Sequence, residues 1–410
     1  MDLLPVYTAL RTSGGTKHTL RHDSNLTVHV FSHAASNSSS PIFHDESRVA
    51  GVVEVTMKKG PFTAIKCITV QVRGFQRLMR CFGYGAMDSD AVEFLALQHT
   101  FADADLGSQA RGRLELPFEL QLPSTCGSIS KKALHEAIPL PPTFAAPGFP
   151  LYILYELVCT VQFKFLPGDS SLTIPIKYVP RKEAGVPAPS RALAYETETP
   201  IPDPAVDPGA WYSETAELDV RAFGARDVHV ACTLSLPLPL EYARGYWIPF
   251  HLAVSCGDEQ VLDLLSTPGA FDVVLDRQLR LSETKKRASE ARESPPNAVG
   301  HGRYWSVRSA GRPVTTRCFE GEIKVIAQLM QSFSYPRLAL SYAVHLHLTA
   351  PGLAVQKKTS LVHVPVEITY FAASSSPKPI SYAPPLRPGE VKETMSVTYA
   401  PPLLFSHMDL

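Results

Sequence analysis

The sequence predicts an all-β chain folded as two sandwich domains, and three observations carry that expectation. Apolar and polar residues alternate with a period of two over several long stretches, the pattern of strands with one buried face. Such stretches lie on both sides of a segment rich in Pro and Ala. Proline is abundant, 36 of 410 residues, roughly 9 % against a typical 5 %, which suits turn-rich β structure, and few long stretches favour helix.

The longest alternation runs from Arg111 to Phe165. In RGRLELPFELQLP, Leu114, Leu116, Phe118, Leu120 and Leu122 share one parity, and Arg111, Arg113, Glu115, Glu119 and Gln121 the other. In LYILYELVCTVQFKF, Ile153, Tyr155, Leu157, Cys159, Val161, Phe163 and Phe165 face one way, and Glu156, Thr160, Gln162 and Lys164 the other. The two read as a pair of long antiparallel strands with one wet face. A single sheet cannot hide its apolar face unaided, so a second sheet must cover it.

In chain order, residues 1–23 are polar and weakly patterned and read as a mobile lead-in. Leu26, Val28 and Val30 open the first strand, the Ser/Asn run from Ala34 to Ser40 makes a loop, and Val53, Val55 and Met57 alternate with Glu54 and Thr56. After a turn at Lys59-Gly60-Pro61, Ile68, Val70 and Val72 alternate with Thr69, Gln71 and Arg73 and read as the return strand of a hairpin. Residues 76–110 read as a strand plus a long excursion. From Pro180 to Pro208 the text turns to Pro, Ala and scattered charge, a composition that stays extended and buries little. That change sets a first domain at 24–180, a linker at 181–208 and a second domain at 209–372. In the second domain Val228, Val230, Cys232, Leu234 and Leu236 alternate with His229, Thr233 and Ser235, and Ile248, Phe250, Leu252, Val254 and Cys256 repeat the scheme. The charged run Ser282 to Pro296 reads as a solvated excursion. Strands are expected again at Glu322–Leu329, Ser341–Thr349 and Leu361–Phe371, and residues 373–410, rich in Pro and Ser, read as a disordered tail.

Lys plus Arg number 39 and Asp plus Glu 39, so the formal net charge is zero and the pI near 7.2. Nothing global steers the chain toward nucleic acid or anionic lipid. The first twenty residues lack the apolar core of a signal peptide, and no run reaches the roughly 18 apolar residues of a membrane span. The chain is therefore expected to be soluble and cytoplasmic, where the glycosylation patterns Asn25-Leu-Thr27 and Asn37-Ser-Ser39 carry no meaning. Among the seven cysteines there is no CxxC pair, and Cys159, Cys232 and Cys256 fall on apolar parities. They read as small buried hydrophobes in a reducing compartment.

No P-loop, GxSxG elbow or HExxH is present, and neither a catalytic residue nor a cofactor is expected. Gly83-Tyr-Gly85 and Gly300-His-Gly302 lack a third glycine and read as turn glycines. Lys131-Lys132, Lys285-Lys286-Arg287 and Lys357-Lys358 read as solvated loop charges. In SYAVHLHLTA, His345 and His347 share the face opposite Tyr342, Val344, Leu346 and Leu348. A hairpin turning near Pro351–Thr359 would bring His347 close to His363, with Glu367 nearby, a donor set of the kind jelly-roll metalloenzymes use. Without other polar catalytic groups around it, the cluster reads as a solvent-facing histidine patch that holds no metal. A metal-dependent β-sandwich enzyme stays open as a second reading.

Four stretches, AGVVEVTMKKG…IKCITVQVRG (Ala50 to Gly74), LPFELQLP…LPPTF…YELVCTVQF (Leu116 to Phe163), LSLPLPLEYARGYWIPFHLAVSC (Leu234 to Cys256) and CFEGEIKV…LSYAVHLHL (Cys318 to Leu348), together resemble the arrestin family. In order and kind they are similar to successive strands of fungal arrestin-like proteins of the α-arrestin type, over most of residues 25–371. The resemblance implies two immunoglobulin-like β-sandwiches in a non-enzymatic adaptor for membrane-protein trafficking and endocytosis. Its implied partners are the cytoplasmic tails of membrane proteins, and its implied place is the cytoplasm with recruitment to plasma membrane or endosomes. Many α-arrestins recruit a HECT-type ubiquitin ligase through PPxY motifs, whereas this sequence contains no PPxY. A sorting scaffold of the retromer-subunit type, which shares the arrestin-like fold and answers to a coat complex, is a third reading.

The tail carries one repeat of its own. SYAPPLRPG (Ser381 to Gly389) and TYAPPLL (Thr398 to Leu404) both contain Tyr-Ala-Pro-Pro-Leu, with Tyr before Pro-Pro, the reverse of the ligase motif. Paired prolines pre-set a polyproline II conformation that docks on aromatic grooves at low ordering cost, and the tyrosine adds a large contact or a phosphorylation point. Tyr382, Pro384 and Pro385, with Tyr399, Pro401 and Pro402, are thus candidate protein-binding residues, two weak copies that gain avidity on one chain. The other reading is a low-complexity tail whose repeat is accidental.

Overall fold

The computed structural model describes residues 15–21, 25–57, 64–81, 87–102, 112–127, 137–146, 149–164, 169–281, 292–307, 313–336, 338–355 and 360–385. The chain is all-β, 60 % strand against 7 % helix. It divides into two compact units, one ending at Arg181 and one beginning at Lys182.

The first unit runs through β1 (Thr16–Arg21), β2 (Leu26–Ser32), β3 (Ile42–Phe43), β4 (Arg48–Met57), β5 (Ile65–Cys81) and β6 (Met87–Phe101). It continues with β7 (Gly112–Gln121), β8 (Thr125–Cys126), β9 (Ile138–Pro139), β10 (Leu151–Phe163) and β11 (Ser170–Tyr178). One sheet has the order β1-β2-β4-β7 and the other β3-β11-β10-β5-β6, with β8 and β9 paired apart. Each sheet buries the apolar parity read from sequence: Leu116, Phe118 and Leu120 on β7, and Leu151, Ile153, Tyr155, Leu157, Cys159 and Val161 on β10.

The pairing differs from the expectation in four places. β7 pairs with β4, while β10 pairs with β5 and β11, so the two longest alternating stretches belong to different sheets. Likewise β4 and β5 do not form a hairpin, and the expected turn at Lys59-Gly60-Pro61 lies outside the described residues. Alternation fixes which face of a strand is apolar but is silent on its neighbour. Residues 76–101 hold the end of β5 and all of β6, joined in a long antiparallel pair. Finally, the lead-in carries β1, which pairs with β2 from Thr16↔Ser32 to Arg21↔Thr27 and buries His18. Its polar composition disguised an edge strand, which needs only one row of backbone partners.

In the second unit, α1 (Pro189–Thr197) precedes β12 (Trp211–Ala222), β13 (Arg226–Pro237), β14 (Glu241–Ala243) and β15 (Trp247–Cys256). After α2 (Glu259–Leu265) come β16 (Phe271–Leu281), β17 (Arg292–Glu293), β18 (Asn297–Val307), β19 (Thr316–Lys324) and β20 (Phe333–Tyr335). The series closes with β21 (Leu338–Leu348), β22 (Leu353–Val355) and β23 (Val362–Thr369). The strands form one hydrogen-bonded path, β14-β23-β21-β16-β18-β19-β15-β13-β12-β22. The path turns its corner within β18. Residues 297–301 of that strand pair with β16, and residues 302–307 pair with β19. A bulge that leaves Val299 without a ladder partner opposite Leu275 and Asp276 marks the switch, as strands do where they pass between layers.

Gly300 and Gly302, expected in a turn, lie inside β18 because the core leaves no room for a side chain there. A Cβ on Gly302 would meet the Phe250 ring at 2.8 Å, and one on Gly321 of β19 would meet it at 2.2 Å and the Arg303 carbonyl at 2.6 Å. Phe250, 1 % exposed, thus lies flat across two glycines of neighbouring strands. The same device recurs in the first unit, where Phe118 covers Gly51.

The segment expected as an extended linker instead folds onto the second unit. Pro189 fits the first turn of α1, where no intrahelical N–H partner is lost, and Arg191, Ala194 and Tyr195 are buried. Alanine counted toward low complexity in the sequence, although it is the best helix former. α2 is capped by the Asp258 carboxylate, which accepts from the Val261 N–H at 3.1 Å. The charged run before Asn297 and the three basic clusters at Lys131, Lys285 and Lys357 lie outside the described residues for all or most of their length, as does Gly83-Tyr-Gly85.

Cys126, Cys159, Cys232, Cys256 and Cys318 are buried, and no disulfide occurs among the described residues. Burial pushes the Cys159 and Cys232 thiols up to about 12, which leaves them as unreactive packing groups. No helix among the described residues is long and apolar enough to cross a membrane.

The glycine–phenylalanine contact gives a direct test. Gly321→Ala is expected to lower stability by about 1–3 kcal/mol through overpacking, read as a shift of the denaturant midpoint. Gly209→Ala, whose added Cβ meets nothing within 4 Å, stays within about 0.5 kcal/mol of the parent.

Candidate functional site

The outward parity of β13, β15 and β19 is polar, yet three of its residues are nearly inaccessible: Ser235 at 2 %, His251 at 3 % and Glu322 at 7 % exposure. Ser235 meets the Ser213 hydroxyl of β12 at 2.8 Å, while His251 and Glu322 line a pocket with sequence from outside the strands. The segment before β12 contributes Pro200, Ile201 and Asp203, and the tail contributes Tyr382. Trp211 ties the first of these down by donating its indole N–H to the Pro202 carbonyl at 3.0 Å. The Glu322 carboxylate holds the second: Ser381 Oγ donates to Oε1 at 2.5 Å and the Tyr382 N–H donates to Oε2 at 2.9 Å. The Tyr382 ring stacks on Tyr195 of α1, with centroids 6.4 Å apart and planes 26° from parallel.

The tail also joins the unit earlier in its course. Glu183 and Phe371 form a parallel bridge, and the Ser374 N–H donates to the Glu183 carboxylate at 2.9 Å. Residues Ser376, Pro377 and Pro379 then line one pocket with Tyr242, Tyr246 and Trp247, and Tyr382 lines a second with Trp211 and Trp305. All three tryptophans of the chain therefore flank the tail. The expectation of a disordered tail is corrected as far as Pro385: composition alone showed too little core pattern, but one aromatic anchor and one carboxylate suffice to order a proline-stiffened segment. Burial, reinforced by Tyr195 and Glu198, pushes the Tyr382 phenol up to about 12, and its hydroxyl is buried without a hydrogen-bond partner among the described residues. In the same pocket burial raises Glu320, against the opposing effect of a hydrogen bond with Trp305.

Of the six candidate tail residues, Tyr382 is half-buried at this groove while Pro384 and Pro385 are exposed beyond it. Tyr399, Pro401 and Pro402 lie outside the described residues.

A second cluster occupies the outward face of β16, β21 and β23. There β16 pairs with β21 so that Asp272 stands opposite His347 and Val274 opposite His345, with Asp276 one step further along the face. His345 Nε2 lies 3.7 Å from Asp276 Oδ2, and the rings of His345 and His347 are 5.9 Å apart and within 10° of parallel. His345, not His347, stands opposite His363, at 4.7 Å between rings. The register escaped the sequence reading because the connection holds β22, which leaves to pair with β12, so no tight turn sets it. Glu367, expected near the histidines, is bound by Lys182 instead. The patch is half-buried at His345 and His347 and open at His363. Burial lowers the His345 pKa, the Asp276 carboxylate opposes that, and the neighbouring His363 and His347 lower it further.

No family model and no curated protein matches this chain. The groove and the histidine face must therefore speak through their own chemistry. Sequence reasoning missed Glu322, Tyr195 and Asp276. Glu322 and Asp276 sit on polar parities that read as solvated, and nothing local marks them. The three widely spaced tryptophans on strand-like segments were the available signal for an aromatic groove.

Hydrogen bonds to a carboxylate contribute roughly 1.5–3 kcal/mol each, so Ser381→Ala is expected to raise amide exchange across residues 372–385 about tenfold or more. Glu322→Ala, losing both bonds, raises it further, while exchange in β13 stays unchanged. A raised phenol pKa means that docking favours neutral Tyr382. Its contribution is whole below the ordinary phenol range near 10 and is lost as pH rises through about 12. The tyrosinate absorbance of the parent minus that of Tyr382→Phe should show a step near the higher value.

Proposed function

We propose that this chain is a non-enzymatic, arrestin-like adaptor that binds extended segments in the cytoplasmic tails of membrane proteins and links them to the trafficking machinery. The observation that carries the reading is the tail lying on its own groove. A proline-stiffened segment with a tyrosine anchor occupies a surface flanked by Trp211, Trp247 and Trp305 and is held through a backbone N–H by Glu322. Backbone and aromatic contacts of this kind accept extended peptides of related composition with little demand on the remaining sequence. The same elements that dock Ser381 and Tyr382 in cis are suited to a cargo segment in trans, for which the tail competes at high effective concentration.

The two β units support the arrestin-like assignment at the level of architecture, each an all-β body with sheets that bury one parity. Open edges add docking surface: among the described residues β1 and β6 each pair on one side only. In this reading the two immunoglobulin-like sandwiches are frames, cytoplasmic in place and recruited to plasma membrane or endosomes by what they bind. The second Tyr-Ala-Pro-Pro-Leu copy, with Tyr399, Pro401 and Pro402, is free in this reading to recruit a ubiquitin ligase or coat component while the first guards the groove.

The test is crosslinked capture of the full chain and of Tyr382→Ala from cells. The reading expects integral membrane proteins, crosslinked through their cytoplasmic segments, with a yield several-fold higher for Tyr382→Ala because the cis competitor is gone. Capture of coat subunits without membrane cargo would replace it with the sorting-scaffold reading, and capture unchanged by the combined Tyr382→Ala and Glu322→Ala change would remove the groove from it.

A further inference from the structure

We infer that Asp276, His345 and His347 form a binding site for one divalent transition-metal ion of the zinc class, independent of the tail groove. Among the described residues they are the set whose donor atoms converge, all lying within 4.8 Å of one another. Three features of the sheet bring this about. The two-residue period of β21 puts both imidazoles on the same side. The ladder sets β16 beside them with Asp276 on the same face. On its other side, β16 meets the β18 bulge at Leu275 and Asp276, where the ladder shifts register.

The spacing within the cluster is what separates a metal site from an ordinary ion pair. At 3.7 Å, His345 Nε2 and Asp276 Oδ2 face each other at a distance too long for a hydrogen bond. Donors bound to zinc at about 2.0–2.2 Å in a tetrahedron stand about 3.3–3.6 Å apart, close to the gap observed. The neighbouring pair on the same face makes the contrast plain: His301 Nδ1 and Asp272 Oδ1 have closed to 3.0 Å and satisfy each other. His345 and His347 have no such closed partner among the described residues, and the His347 donor already lies within 4.8 Å of the other two.

Two imidazoles and a carboxylate select borderline ions such as zinc, cobalt or nickel over calcium and magnesium, which prefer all-oxygen sites. Three protein ligands leave the fourth position for water, and exposed His363 stands next to the cluster, its ring 4.7 Å from that of His345. The ion would tie β16 to β21 and place positive charge on this face of the sheet.

The experiment uses the full chain without an affinity tag, stripped with chelator and dialysed into metal-free buffer. Calorimetric titration with zinc chloride is expected to show one ion per chain at micromolar affinity or tighter, and cobalt is expected to give the visible d–d bands of a tetrahedral site. Losing a metal ligand costs at least what losing a ligand's own hydrogen-bond partner costs, about tenfold, so His345→Ala, His347→Ala and Asp276→Asn should each weaken binding at least that much. His301→Ala, on the same face, should change it less than about twofold, and circular dichroism and the metal-free melting temperature check that each variant folds. Absence of cobalt bands and of zinc heat in the parent chain overturns the site. So does an affinity retained by a folded His345→Ala/His347→Ala double variant.

Discussion

The second unit depends on one strand changing partners. β18 must leave β16 after His301 and take up β19 at Gly302, and it does so where the bulge leaves Val299 off the ladder and Gly300 and Gly302 leave space for Ile323 and Phe250. With any larger residue at 302 the Phe250 ring would have to move, and with it the layer that Phe250 fills. Both candidate sites hang from this corner. Arg303 and Trp305 lie on the half of β18 that pairs with Glu322 and Glu320, the floor of the tail groove. The other half pairs with β16 beside Asp276, the carboxylate of the histidine face.

A second constraint is the cost of hiding polar groups. Ser235, His251 and Glu322 sit on faces that ordinary sandwich strands leave to water, and burying a carboxylate without partners is expensive. For His251 and Glu322 the residues before β12 and after β23 supply the cover, and the Ser381 hydroxyl and Tyr382 N–H supply donors for Glu322. That exchange explains why two Pro-rich segments, neither able to form a core, are ordered here. Each finds a preformed surface, and proline lowers the entropy lost in fitting it. The first unit shows a related use of a carboxylate: Asp45 accepts from the Tyr178 hydroxyl and, at 2.7 Å, from the Arg181 N–H, securing the chain at the end of β11.

By itself the sequence determined the all-β class and the buried face of the strands whose alternation it marked, because side chains alternate at a fixed period and burial follows hydrophobicity; it did not mark β12, β16 or β18. Val28, Val53, Leu157, Cys232, Phe250 and Val344 are all in the cores that their parities indicated. It also determined that His345 and His347 share a face. What it left to the tertiary structure was every question of neighbourhood. Backbone hydrogen bonding is nearly the same for any pair of strands, so nothing in β4, β7 or β10 announced which would be partners, and a polar edge such as β1 left no periodic trace. The same reason hid the sites. Glu322 is a groove residue only because Tyr382, sixty positions later, lies on it, and Asp276 meets His345 only because β16 and β21 pair in one register out of many.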